Sequence, residues 1–390
     1  MLTYTGLLDS GCIDLKLNLF TTNACNLNCT YCYEKNKNSL QMSEETGIKA
    51  IDHFWNKDKD GIFNINFHGG EPLLKFDLIK KIVGHVNDKC QNDPPKFTVD
   101  FSLTTNGTLI SKEIGEFFKQ NNFNVRLSLD GKLEAHDLHR RTYGNKGTFN
   151  KVLSGAFLLK EAKVDFTTRM TVTPENVYYL VESVEWLLNN DFLKINIVTD
   201  TFSNWNEKFE FLRQAFWKIK ELYIDARNNK QVRINLFDGK FSSYILDSPP
   251  LFCNAGFGSF SISTSGLIYP CVYVVDLEEF CIGDVNTGIS SLRRKECIES
   301  CLKREDSCGD CNIQGFCQAR KCGFLNYLSN GYLDQPNPFL CKREQLLYSL
   351  TTEVFDRLYH RNDSQINWMI KRLKSFPHLT VNKDIKQYLS

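Results

Sequence analysis

Fifteen cysteines punctuate this 390-residue chain, and their spacing is the first sign of chemistry. Three stand together in Cys25-Asn-Leu-Asn-Cys29-Thr-Tyr-Cys32, with gaps of three and two residues. Ten more lie from Cys253 to Cys341, and none lies between Cys90 and Cys253. Three thiolates so spaced can converge in one tight loop. A structural zinc wants four ligands, and no fourth Cys or His is close by in sequence. On a four-iron cluster, three thiolates leave one iron open for an exchangeable ligand. Three core cysteines that happen to be neighbours are the remaining reading. Other polar groups follow in His68-Gly69-Gly70-Glu71-Pro72, Thr104-Thr105-Asn106-Gly107 and Ser128-Leu129-Asp130-Gly131. Glycine lets backbone approach a ligand closely, and a carboxylate at a strand end can accept an ammonium group. The same residues also suit plain turns, with Pro72 in a first helical turn and Asn106-Gly107 as turn chemistry. His68 could touch a substrate or cofactor, or serve the packing.

These groups need elements to hold them. Strand patterns at 13–20, 62–67, 97–103, 124–129, 164–172 and 192–198 alternate with helical patterns at 43–55, 73–86, 111–120, 148–159, 174–188 and 206–228. Six β–α units in order imply a parallel sheet with right-handed crossovers. They predict an α/β fold with a partial (β/α)6 TIM-like barrel; an open doubly wound sheet is the rival. Either fold gathers functional residues at the C-terminal strand ends, where the Cys25–Cys32 loop and the three Gly-rich turns fall. After residue 228 the pattern changes. One more strand fits 233–237, and Ser248-Pro249-Pro250 reads as a break. Short strands follow at Ser259–Ile262, Leu267–Tyr269 and 272–275, then helices at 344–358 and 365–373. The expected organisation is a barrel at 1–228, a linker at 229–250, a cysteine-rich domain at 251–345 and a helical segment at 346–390.

Composition excludes several classes. Lys+Arg 47 against Asp+Glu 46 gives a net charge of +1, too little for a nucleic-acid binder working through bulk charge. No apolar run reaches the roughly 18 residues of a membrane span, and the N-terminus does not read as a secretion signal. Dense cysteine without a signal points to a cytoplasmic chain whose thiols serve metal or redox chemistry. Cys12 and Cys90 read as core or surface residues. The 13% aromatic content reads as core, and Lys371-Arg372-Leu-Lys374 as a solvated helix face.

The CxxxCxxC triad followed by Tyr33 resembles the signature of radical S-adenosylmethionine (SAM) enzymes. In them the open iron of a 4Fe-4S cluster binds SAM, which is cleaved to a 5′-deoxyadenosyl radical that abstracts hydrogen. Gly69-Gly70-Glu71-Pro72 is similar to that family's GGEP segment, which binds the methionine amine. The stretch Ser128-Leu-Asp130-Gly, His136-Asp137, Arg140 and Gly147-Thr-Phe149 is similar to the sulfatase-maturing and peptide-modifying branch. The resemblance implies SAM contacts from Tyr31, Gly69, Gly70, Glu71, Asn106, Ser128 and Arg140, with Cys25, Cys29 and Cys32 as cluster ligands.

The later cysteines resemble a SPASM domain, which carries auxiliary 4Fe-4S clusters, with four residues between Cys317 and Cys322 where the family pattern has three. By that resemblance Cys308, Cys311, Cys317 and Cys341 hold an outer cluster, and Cys253, Cys271 and Cys322 an inner one, making three 4Fe-4S clusters with the first. Eight thiolates would complete two clusters and the motif supplies seven. Cys281, Cys297 or Cys301 supplies the eighth, Cys281 being the first candidate, or one iron stays open. A zinc ribbon would explain only Cys308 and Cys311.

Sulfatase maturases carry an aspartate base directly after the cysteine of a YPC segment. Here Tyr269-Pro270-Cys271 is followed by Val272, and the nearest carboxylate, Asp276, would lie several strand positions away. That argues for a maturase of ribosomally made peptides, closing a C–C, ether or thioether cross-link, an aromatic-to-aliphatic cyclophane being the specific expectation. His68 and Asp276 are the candidate catalytic groups. Oxidation of Cys or Ser to formylglycine is the alternative, and a non-catalytic iron–sulfur electron carrier the third. The implied partners are a precursor peptide and an external flavodoxin- or ferredoxin-like electron donor, with no nucleic acid and no membrane. Strand one starts near residue 13, which leaves no room for a separate N-terminal leader-binding domain.

Overall fold

A computed structural model describes residues 12–34, 37–246, 253–302, 308–375 and 381–389. Two compact units emerge, and they interleave along the chain. The first comprises Met1–Leu129, His139–Phe166 and Cys253–Glu299; the second comprises Asp130–Leu138, Thr167–Phe252 and Ser300–Ser390.

In the first unit the β–α alternation appears as expected. Strands β1 (Cys12–Thr22), β2 (Asp60–Gly69), β3 (Phe97–Thr105) and β4 (Asn124–Ser128) pair in parallel. Between them run α1 (Glu44–Phe54), α2 (Phe76–Asn92) and α3 (Lys112–Gln120). Ser43 and Ser111 start α1 and α3 by accepting from the backbone N–H of Thr46 and Ile114, which satisfies donors a helix start leaves unpaired. Next in the chain comes α4 (Leu133–His139), which falls in the second unit except for His139, and α5 (Phe149–Glu161) returns to the first. On the other side of β1 lie β8 (Ser259–Ile262), parallel to it, then antiparallel β9 (Leu267–Tyr269), β10 (Gly283–Asp284) and β11 (Gly288–Ile289).

Register explains the two faces of this sheet. Leu17 and Leu19 lie beside Ile65 and Phe67, which lie beside Phe101 and Leu103. All six are buried. Phe67 and Phe101 stack on Phe123, which also meets Phe118 of α3. Each such side chain contributes about 1.5–3 kcal/mol of hydrophobic stabilisation. The alternate positions are polar. Asn18 pairs with Asn66 and with Ser261, and Asn66 with Ser102. Asn66 donates to Asn18 Oδ1 at 2.9 Å, Ser102 to Asn66 Oδ1 at 3.0 Å, and Asn18 to the Phe260 carbonyl at 3.0 Å. Buried amides are kept at low cost only when satisfied in this way.

The second unit holds parallel strands β5 (Phe166–Val172), β6 (Lys194–Thr199) and β7 (Arg233–Ile234). With them are α6 (Leu180–Asn189), α7 (Phe209–Ala226) and α8 (Asp238–Ile245). The expected linker at 229–250 is therefore folded over its described part: Phe237, Phe241, Tyr244 and Ile245 of this stretch are buried. Apolar residues at helical spacing drive this, and Phe241 and Tyr244 pack on Phe355. Ser248-Pro249-Pro250 lies outside the described residues.

α9 (Ser291–Leu302) carries Cys297 and Cys301, both buried. α10 (Gln318–Lys321), α11 (Gly323–Asn330), α12 (Pro338–His360) and α13 (Ser364–Lys374) complete the chain's main elements. α12 begins six residues before the expected start. Asn337 caps it and Pro338 occupies its first turn, so Cys341 is helical. One expected strand is absent. Residues 272–275 form a 3-10 turn, Val272–Val274, with the Val274 N–H bonded to the Cys271 carbonyl at 3.3 Å. A β-branched run has strand propensity only where a neighbouring strand offers a ladder.

Among the described residues no helix is long and apolar enough to cross a membrane.

Candidate functional site: a cysteine loop at the strand ends

The loop after β1 is pinned from three sides, all within the first unit. The Gly70 N–H donates to Thr22 O at 2.9 Å and the Glu71 N–H to Ala24 O at 2.8 Å. Asn28 N donates to Arg141 O at 2.7 Å, and Thr30 N to His139 O at 3.2 Å. Leu27 is buried and anchors the loop to the core. From β3's end, Asn106 Nδ2 donates to Asn26 Oδ1 at 2.8 Å and lies 3.8 Å from Cys25 Sγ. Cys25, Cys29 and Cys32 are half-buried, and the Cys32 N–H turns back onto Cys29 O at 3.2 Å.

The close fit explains the two glycines. Gly69 has φ +135°, and a Cβ there would stand 2.2 Å from Thr22 O. At Gly70 a Cβ would stand 2.2 Å from Ala24 O. No other residue type allows the strand-two turn to lie flat on the cysteine loop.

Glu71 also joins the turns to one another. Its carboxyl is buried, and three protein donors already point at it. Leu73 N at 3.1 Å and Thr105 Oγ1 at 2.7 Å reach Oε1, and Asn106 N at 2.7 Å reaches Oε2. The side chain therefore ties the second strand's turn to the third's. Burial pushes the Glu71 carboxyl up to about 7, against the pull of the Asn106, Thr105 and Leu73 bonds. Between its ordinary value of 4.5 and about 7, the folded chain holds a proton that the unfolded chain has lost. Stability from this group thus falls as pH rises through that window, by at most about 1.4 kcal/mol per pH unit. Urea unfolding of Glu71→Gln across the same window is expected to show a shallower decline than the parent; an equal slope would refute the assignment.

Other expected contacts gather around the loop. Arg140 is buried, with its guanidinium 5.2 Å from the Tyr31 ring, and His139 lies 5.1 Å from the same ring. Thr30 Oγ1 is 2.6 Å from His139 Nδ1. Ser128 is buried at the end of β4. His68 Nδ1 accepts the Gly69 N–H at 2.8 Å, so a neutral ring carries its proton on Nε2, 3.4 Å from Tyr33 OH. The Tyr33–His68 and Thr30–His139 contacts carry no signal in sequence spacing.

Asp276 corrects an expectation. The 3-10 turn replaces the strand that would have carried it away. With a left-handed φ of 65°, Asp276 reaches back so that Oδ2 accepts from Asn23 Nδ2 at 3.3 Å, two residues before Cys25. Beside it, Tyr33 meets Tyr273 edge-on at 5.4 Å. Burial and then the Asp276 charge push the Glu34 carboxyl up to about 7.

The later cysteines divide by unit. In the first, Lys16 of β1 feels the charges of both Cys253 and Cys271, although burial and Arg126 hold its ammonium below its usual value. Cys281 Sγ donates to Gly283 O at 3.4 Å. In the second unit Cys308, Cys311, Cys317 and Cys341 come together. Burial raises the Cys341 thiol first, then the charges of Cys308 and Cys311. Burial likewise pushes Cys317 up to about 11, helped by Glu344 and Cys341. The four residues between Cys317 and Cys322 make one helical turn, α10, which accommodates the extra residue. Cys297 and Cys301 are buried on α9, Cys90 is half-buried, and the side chain of Cys12 lies outside the described residues.

Among the described residues no group of three or more His, Cys, Asp or Glu is tight enough for a single metal ion. A four-iron cluster asks for a wider set, since each thiolate binds its own iron. The half-buried Cys25, Cys29 and Cys32, and half-buried Cys308, Cys311 and Cys341 with the buried Cys317, fit that donor chemistry.

Comparisons with known proteins bear on the family and the fold. Residues 19–187 match the family described as the Radical SAM superfamily. The cysteine-type anaerobic sulfatase-maturating enzyme of Clostridium novyi is 27% identical over 379 residues, covering 91% of this chain and 96% of that protein. The solved structure of native anSMEcpe with bound AdoMet and Cp18Cys peptide superposes with a TM-score of 0.73 at 22% identity, covering 91% of this chain and 99% of that one. Streptococcus suis SuiB bound to precursor peptide SuiA gives 0.61 at 14% identity, over 85% of this chain and 77% of that one. Both structures share the α/β fold.

Proposed function

The chain carries a radical SAM domain and is an enzyme of that superfamily, and we propose that it matures a ribosomally made peptide by hydrogen abstraction followed by cross-linking. The observation that carries this reading is the cysteine loop pinned to the Gly69-Gly70-Glu71 turn and to Asn106 at the strand ends. Cys25, Cys29 and Cys32 are the residues that would hold the first 4Fe-4S cluster. When bound, that cluster and SAM supply one-electron cleavage of SAM and hydrogen-atom abstraction from the substrate.

The protein's own residues orient the reactants. The Gly69-Gly70-Glu71 turn would receive the methionine ammonium of bound SAM, with the Glu71 carboxyl held in place by its three protein donors. Arg140, stacked on Tyr31, offers its guanidinium to the SAM carboxylate. Ser128 and Asn106 complete the SAM contacts. Cys253, Cys271 and Cys322, and Cys308, Cys311, Cys317 and Cys341, would hold two auxiliary clusters, which when bound would supply an acceptor for the electron released on ring closure. An external flavodoxin- or ferredoxin-like protein would be the electron donor. The named complexes with Cp18Cys and SuiA support a peptide substrate.

Oxidation of Cys or Ser to formylglycine has its own support: Asp276 beside Asn23, and the sulfatase-maturating relative. Mass spectrometry of treated peptides separates the two. Loss of two hydrogens with an intramolecular link is the expected result, and conversion of Cys or Ser to an aldehyde would replace the cross-linking reading. Asp276→Asn adds a kinetic test. Cross-linking is expected to proceed at nearly the parental rate, whereas removal of an oxidase's general base would cost about 10²- to 10⁴-fold.

A further inference from the structure

Beside the outer cysteine quartet, the second unit buries three charged side chains that the reaction above does not use. Glu344 lies on α12, three residues after Cys341, with a side chain that is 0% exposed. Its Oε2 accepts from Lys240 Nζ of α8 at 2.6 Å and from the backbone N–H of Gln318, the residue after Cys317, at 2.8 Å. Oε1 accepts from Arg343 Nη2 at 2.8 Å. Arg343 Nη1 donates to Thr199 Oγ1 at 2.7 Å at the end of β6, and Nη2 to Gln318 Oε1 at 3.3 Å. The Lys240 ammonium also stands 4.7 Å from the Phe316 ring, one residue before Cys317.

Two largely buried cations against one carboxylate leave a net positive group when both are charged, and burial holds the Lys240 ammonium below its usual value unless negative charge faces it. Arg343 Nε is buried and has no hydrogen-bond partner among the described residues. Cys317 precedes Gln318, whose N–H Glu344 accepts, and Cys341 lies three residues before Glu344 on the same helix, so both would bring negative charge beside the group as cluster thiolates. Glu344 ties the start of α10 to α12, and so ties Cys317 to Cys341.

We propose that Lys240, Glu344 and Arg343 form a charge clamp that positions Cys317 against Cys341 and sets the reduction potential of the cluster they hold. The inference rests on the reading that Cys308, Cys311, Cys317 and Cys341 bind a 4Fe-4S cluster. Reduction adds one negative charge, so a neighbouring cation favours the reduced form and a neighbouring carboxylate the oxidised form. These are positioning residues, since none is proposed to ligate iron.

The test is an anaerobic redox titration followed by electron paramagnetic resonance, on the full-length protein reconstituted with iron and sulfide. Lys240→Met is expected to lower the outer cluster's potential, and Glu344→Gln to raise it. Each shift is expected to be about tenfold in the reduction equilibrium, or about 59 mV for one electron. Lys240→Arg keeps the charge and is expected to hold the parental potential and iron content. Unmoved potentials, shifts of the same sign in Lys240→Met and Glu344→Gln, or a Lys240→Arg shift equal to that of Lys240→Met would overturn the clamp. The underlying cluster reading is checked separately: Cys308→Ala with Cys341→Ala must lower the bound iron, whatever the potentials do.

Discussion

Replacing Cys25, Cys29 and Cys32 together by Ala is expected to abolish 5′-deoxyadenosine formation and to remove about one third of the bound iron. The first effect follows because the loop's three sulfurs are the only thiols proposed to hold the cluster that meets SAM. The second follows because the remaining proposed ligands, Cys253, Cys271 and Cys322 and then Cys308, Cys311, Cys317 and Cys341, stand on other segments of the chain. Folding is expected to survive. The parallel strands that carry the loop are held by Leu17, Leu19, Ile65, Phe67, Phe101 and Leu103, none of which depends on metal. Anaerobic reconstitution, an iron count and chromatographic assay for 5′-deoxyadenosine read all three quantities. Near-complete iron loss, or none, would contradict the division of the cysteines into three clusters.

The Gly70→Ala variant is expected to be strongly destabilised. Its Cβ would stand 2.2 Å from the Ala24 carbonyl oxygen and 2.5 Å from its carbon, both backbone atoms that cannot swing aside. Relief requires moving 22–24 off the strand-two turn, which breaks the Gly70–Thr22 and Glu71–Ala24 hydrogen bonds. Two lost bonds at about 1 kcal/mol each, with about 1–3 kcal/mol of overpacking, predict a loss of about 3–5 kcal/mol. Displacing Cys25 by about 1 Å is expected to lower 5′-deoxyadenosine production about 10²-fold. Gly84→Ala is the control. It lies within α2 with nothing within 4 Å of the added Cβ, and is expected to be neutral or slightly stabilising. Denaturant midpoints of the two variants give the comparison, and equal stability would refute the close-fit account.

Much of the first unit was legible because its signals are local. Alternating apolar residues mark β1 to β4, and Ser43 and Ser111 mark helix starts through bonds that span three residues. The cysteine loop is equally local, since gaps of three and two residues bring sulfurs together without help from distant chain. The Asn337-Pro338 start of α12 was a readable signal that apolar periodicity alone passed over. Residues 272–275 misled for the opposite reason: their β-branched side chains suit a strand, but no neighbouring strand offers them a ladder.

What stayed hidden depends on contacts across long sequence separations. Glu71 meets Thr105 across 34 residues, Lys240 meets Glu344 across 104, and Asn23 meets Asp276 across 253. None of these pairs has a spacing that predicts it. By itself the sequence determined which residues could do the chemistry: sulfur sets for iron, glycines for close approach, and strands that end where both are needed. Only the tertiary structure decided which partners each carboxylate meets. It tied Glu71 to two turns, and brought Asp276 back beside the cysteine loop. Local spacing sets what a side chain can do, but burial and the partners brought by distant strands set what it does.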